Sequence, residues 1–163
     1  ALTAVVPVNR KEIIDIYYDI RKGIGFNKTP SVYGAFPTDP YSHTPAGQGA
    51  KQPGMTGQVK EEIITRWFEL GIRLNDGVIS IDPELLQSDE FFADGTLSFT
   101  WCNVEFMYHV KQRNLLQVNR IEVTKTAGTG ETVSVYDTNS ISKEESLMIF
   151  TRTGAVKRVD VFL

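Results

Sequence analysis

Asn9 followed by Glu12 has the form of an N-cap with its capping-box partner three residues on. Ile13, Tyr17, Ile20 and Ile24 then recur at helical spacing, and Gly23 and Gly25 supply stop signals. The pattern predicts a helix over roughly 10–22 with one apolar stripe. Periodicity then vanishes from Phe26 to Thr56. Pro30, Pro37, Pro40, Pro45 and Pro53 remove backbone donors there, and Gly34, Gly47, Gly49 and Gly54 free the backbone. The segment keeps Phe26, Tyr33, Phe36 and Tyr41, whereas disordered chains are poor in aromatics, so an ordered, packed loop is expected. A second helix is predicted over 58–70. Val59, Ile63, Trp67 and Leu70 form its stripe, Ile64 and Phe68 widen it, and Gly71 ends it. A face that wide implies burial on more than one side.

Beyond Asn75-Asp76-Gly77 the apolar period changes from 3.6 to 2. Strands are expected at Val78–Ile81, Thr96–Trp101, Val104–Val110, Leu115–Val123, Thr132–Tyr136, Leu147–Thr151 and Ala155–Phe162, with a helical turn at Glu84-Leu85-Leu86. Asp94-Gly95 and Thr153-Gly154 read as turns. The expected fold class is α+β: two N-terminal helices joined by a long ordered loop, then an antiparallel, β-rich, sandwich-like domain. The expected boundary separates a helical segment, 1–75, from a β-rich domain, 76–163.

Composition narrows the function classes. A formal net charge of −3 with thinly spread Lys and Arg lacks the phosphate-neutralising cluster that nucleic-acid binding requires. No apolar run approaches the roughly 20 residues of a membrane span. The start, Ala1 to Val8, lacks both Met and the basic flank of a signal peptide, so the chain reads as cut from something longer. The single cysteine, Cys102, forms no internal disulfide and sits in a β-like run, which makes it a core thiol. His109 is the one nearby base for it. His43 and His109 lie 66 residues apart and no zinc set exists, so no metal and no cofactor are expected.

The densest polar cluster runs from Tyr41 to Gln58 and ends at a helix N-terminus. Its hydroxyls, amides, imidazole and orphan N–H groups suit an anion or the hydroxyls of a sugar. Tyr41, His43, Thr44, Gln52, Thr56 and Gln58 are the candidate substrate-binding residues, expected on the rim of a pocket. Gly47-Gln48-Gly49 completes neither a dinucleotide fingerprint nor a P-loop. Glu61 and Glu62 follow the loop, and adjacent helical residues point about 100° apart, so only one can face a substrate. Glu61 is the candidate catalytic acid or base. Glycoside cleavage uses two carboxyls, and this chain borders the loop with at most one.

The run Pro53 to Arg66, with Glu69-Leu70-Gly71-Ile72, Asp76 to Leu86 and Glu90-Phe91-Phe92, resembles the C-terminal end of bacterial six-hairpin glycosidases and cellobiose-phosphorylase-like enzymes. The similarity covers roughly residues 30–125. It implies that the two helices close an (α/α)6 toroid, that loop 26–56 reaches the barrel mouth, and that the β domain packs behind. Phosphorylases of this kind hold phosphate with His and Ser or Thr on late loops, which His43, Thr44 and Thr56 match in type. The catalytic acid of such enzymes lies upstream, so the chain alone is expected to be inactive. Oligosaccharide or phosphate would be bound through the rest of the parent chain, in a bacterial cytoplasm or periplasm. The alternatives are a non-catalytic carbohydrate-binding module, with Tyr33, Tyr41 and Trp67 as platforms, or a structural or oligomerising domain whose sheet edges are in play.

Overall fold

The computed structural model describes residues 9–23, 56–111 and 116–163, with side chains over 9–21, 63–111 and 116–163. Among them are helices α1 (Arg10–Gly23), α2 (Thr56–Glu69) and α3 (Lys143–Phe150), with one 3-10 turn at Ser88–Glu90. The strands are β1 (Ile72–Asn75), β2 (Val78–Ile81), β3 (Thr96–Trp101), β4 (Val104–His109), β5 (Arg120–Ala127), β6 (Gly130–Tyr136) and β7 (Val156–Phe162). Two compact units divide the chain, Ala1–Arg66 and Trp67–Leu163, so the last turn of α2 belongs to the second.

In the first unit the Asn9 carboxamide oxygen accepts the Lys11 N–H at 3.1 Å, and its amide donates to Glu12 at 3.2 Å. Within the apolar stripe Ile13 and Ile20 are 52% and 61% exposed, whereas Tyr18 and Arg21 on another face are buried. Ile14, Tyr18 and Arg21 also lie at helical spacing. Where two faces both carry large side chains, period identifies a helix without choosing its inner face. On α2, Ile63, Ile64, Trp67 and Phe68 are exposed as well.

The second unit is α+β, but it is not an antiparallel sandwich. Five strands form one mixed sheet in the order β3-β4-β7-β5-β6, and β1-β2 is a separate hairpin. β4 and β7 run parallel, with Phe106 opposite Val159, while β7-β5, β5-β6 and β3-β4 are antiparallel. Parallel pairing needs a crossover, and the sequence from β6 through α3 to β7 supplies it. The strand expected over Leu147–Thr151 is instead the second half of α3. Ser142 caps that helix, its hydroxyl accepting the Glu145 N–H at 3.1 Å, and Glu144 and Glu145 occupy the first turn. A short unbroken apolar run such as Leu147-Met148-Ile149-Phe150 has no period of its own. The cap decides it.

Two-residue turns close the hairpins. Asp76 and Gly77 carry φ of 50° and 79°, and Cys102 and Asn103 carry 50° and 65°. This places Cys102 in a turn, half-buried, rather than in a strand of the core. Gly71, after α2, has φ of +85°, and a Cβ there would sit 2.4 Å from the Asp82 carbonyl carbon. Only glycine fits, because both the dihedral and the approach exclude a side chain.

Alternation sends Phe106, Tyr108, Ile121, Val123, Val159 and Val161 to one face of the sheet, all fully buried. The hairpin and α3 lie over that face. The Ile79 N–H donates to Ser146 Oγ at 3.0 Å, Ile141 N–H to the Ile79 carbonyl at 3.1 Å, and Tyr108 Oη to the Leu70 carbonyl at 2.6 Å. On the opposite face, the open face among the described residues, side chains other than Asp160 are half-buried or exposed.

Candidate functional site

Register arranges the open face in rows. Thr96, His109, Phe162 and Arg120 form the first, from β3, β4, β7 and β5. Ser98, Met107, Asp160, Glu122 and Val135 form the second, and Thr100, Glu105, Arg158, Thr124 and Val133 the third. Asp160, 5% exposed, is the pivot. Its Oδ1 lies 2.8 Å from His109 Nε2, and its Oδ2 accepts the Arg158 Nε–H at 2.7 Å. That hydrogen bond raises the Arg158 guanidinium above its ordinary pKa. Arg120 pairs with Glu122 at 3.0 Å. The His109 ring stacks on Phe162 at 4.8 Å and 16°, and Arg120 lies 4.2 Å from the centre of the same ring. Because β7 lies between β4 and β5, these two neighbours approach Phe162 from opposite sides.

A histidine held by a carboxylate is the geometry of a general base, but it needs a proton donor to act upon. Its cross-strand neighbour, Thr96, gives its hydroxyl to Asp94 at 2.7 Å. Phe162, flanked on both sides, offers no free face for a sugar ring. Cys102 and His109 lie at opposite ends of the β3-β4 hairpin, about 17 Å apart by strand rise. The Cys–His pairing considered from sequence therefore does not form.

A second polar cluster lies on the covered side. The Glu145 carboxylate, 3% exposed, takes Lys125 Nζ at 2.5 Å and the Ser134 hydroxyl at 2.7 Å on one oxygen, and the Tyr136 hydroxyl at 2.7 Å on the other. Burial disfavours its charge, but the hydrogen bonds from Lys125, Tyr136 and Ser134 outweigh that and hold its pKa below the ordinary 4.5. The same contact raises Lys125 above 10.5. The cluster pins the first turn of α3 to β5 and β6.

Of the residues chosen from sequence, Tyr41, His43, Thr44 and Gln52 lie outside the described residues. Thr56, Gln58 and Glu61 fall on the first turns of α2, and their side chains too lie outside what is described. Among the described residues no group of three or more His, Cys, Asp or Glu side chains is placed to hold a metal ion, and no helix is long and apolar enough to cross a membrane. Sequence reasoning missed Asp160 and Glu145. Alternation through Val104, Phe106 and Tyr108 does put His109 on the outer face, but Asp160 stands 51 residues away and meets it only through the parallel β4-β7 pairing. Neither a protein-family model nor a curated protein matches this chain.

Proposed function

We propose that the chain is the C-terminal portion of a carbohydrate-active enzyme of glycoside hydrolase or phosphorylase type. The observation that carries this is the resemblance over Pro53–Arg66 and Asp76–Leu86. In this reading the second unit is a structural β domain. Supporting that role, its carboxylates Asp160, Glu122 and Glu145 are each engaged by cations or hydroxyls of the same unit. Tyr41, His43, Thr44, Gln52, Thr56 and Gln58 are the residues proposed to meet an oligosaccharide or phosphate, with Glu61 as the one bordering carboxylate.

The test compares this chain with its parent reading frame, extended upstream, on aryl glycosides with and without phosphate. Turnover is expected from the extended protein and none from the chain alone. Alanine at His43 and Gln52 in the extended protein should raise KM for sugar or phosphate without loss of stability. Turnover by the chain alone that Glu61→Gln abolishes would make Glu61 catalytic and overturn the assignment. A native frame that opens near Ala1 would remove the toroid and with it this reading.

A further inference from the structure

The two edges of the five-stranded sheet differ. At β3 the Thr96 carbonyl is taken by the Phe92 N–H at 2.9 Å, and Leu97, Phe99 and Trp101 turn inward. β6 is the other edge. It is joined to β5 by a two-residue turn, so the closing pair Ala127 and Gly130 exchanges both hydrogen bonds and the ladder continues at Thr132, Ser134 and Tyr136. The N–H and C=O groups of Glu131, Val133 and Val135 therefore point away from the sheet, and among the described residues nothing takes them. Side chains agree with a bare edge: Val133 and Val135 are 54% and 55% exposed.

Natural edge strands are blunted with proline, lysine, bulges or a covering element. From Glu131 to Tyr136 the sequence Glu-Thr-Val-Ser-Val-Tyr has neither proline nor lysine, and its register with β5 is unbroken. The one irregularity of β5 faces β7 instead. This edge is also compatible with itself. In antiparallel pairing about Val133, Val133 of one copy meets Val133 of the other and Glu131 meets Val135. On the other face Thr132 meets Ser134. No like charges oppose, and β-branched pairs are favourable cross-strand neighbours.

We infer that β6 is a self-pairing edge, through which two copies of this chain join their sheets into one ten-stranded sheet around a two-fold axis at Val133. This rests on the edge alone and is independent of the carbohydrate reading. A single strand pair buries little area, so the dimer is weak and concentration-dependent.

The test is light scattering coupled to size exclusion on the 163-residue chain, from about 1 μM to 1 mM. The expected result is a monomer-to-dimer shift across that range. Val133→Pro removes an outward donor without breaking the β5-β6 ladder and should shift the midpoint at least tenfold upward, with the fluorescence-detected unfolding midpoint of the second unit kept. Val133→Lys, which sets two ammonium groups directly opposite each other across the two-fold axis, should do likewise and stands in if the proline variant misfolds. In the dimer the amides of Glu131, Val133 and Val135 should gain exchange protection relative to the monomer. A wild type that stays monomeric throughout, a dimer that survives both variants, or open-ended oligomers in place of dimers would each overturn the inference.

Discussion

Replacing Glu145 with alanine removes one acceptor shared by three donors, all of them on β5 and β6 and one of them a cation. A hydrogen bond to a charged partner is worth about 1.5–3 kcal/mol net, but three bonds to one carboxylate do not add. Lys125 is 26% exposed and recovers water once released, and Ser134 and Tyr136 are only half-buried. The first turn of α3 also loses a negative charge, which costs about 0.3–1 kcal/mol. The expected cost is therefore about 2–4 kcal/mol, below the upper range for breaking a fully buried pair. In a unit of roughly 100 residues this lowers the midpoint of thermal unfolding by about 10–25 °C. Both tryptophans, Trp67 and Trp101, belong to the second unit, so intrinsic fluorescence under heat or urea reports its unfolding. Lys125→Met and the double variant complete the cycle, with an expected coupling of about 1–2 kcal/mol. The pH dependence has a fixed sign. Because the folded-state pKa is depressed, the carboxylate's contribution is complete above 4.5 and disappears as pH falls through the lower folded value. The gap between wild type and Glu145→Gln should narrow over that same interval. A cost under about 1 kcal/mol, or a gap between the two proteins that does not change with acidification, would show that the cluster does not anchor α3 as argued.

Gly71→Ala should be far more damaging than a usual glycine substitution. The Cβ meets the Asp82–Pro83 backbone at 2.4–2.6 Å in a left-handed conformation, and a loss above about 4 kcal/mol or failure to fold is expected by urea titration. Asp160→Ala leaves His109 and Arg158 without their shared acceptor on the open face, at a cost of about 1–3 kcal/mol. The release of His109 should also appear as a changed ring chemical shift in NMR.

The amino-acid sequence determined what depends on near neighbours. Alternation at Thr96–Trp101 and Val104–Tyr108 is a local property, and these segments are strands whose inward residues are the apolar ones. Asp76-Gly77, which the sequence marks only as the point where the apolar period changes, is a tight hairpin turn, because few residue pairs accept positive φ at both positions. The α+β class follows from the coexistence of both periods. Alternation, however, is the same for a parallel and an antiparallel neighbour, so it could not reveal that β7 enters between β4 and β5 or that β4 and β7 run parallel. That order is fixed by which inner faces bury together under the hairpin and α3. The same limit made α3 look like a strand, since its apolar run has no period and its identity rests on the Ser142 cap and on Ile149 reaching the core. It also hid the polar clusters. Glu145 gathers donors from β5 and β6, and Asp160 meets His109 across 51 residues, so both sites exist only once the sheet has assembled. A carboxylate's partners, unlike its helical or strand period, are chosen by tertiary packing.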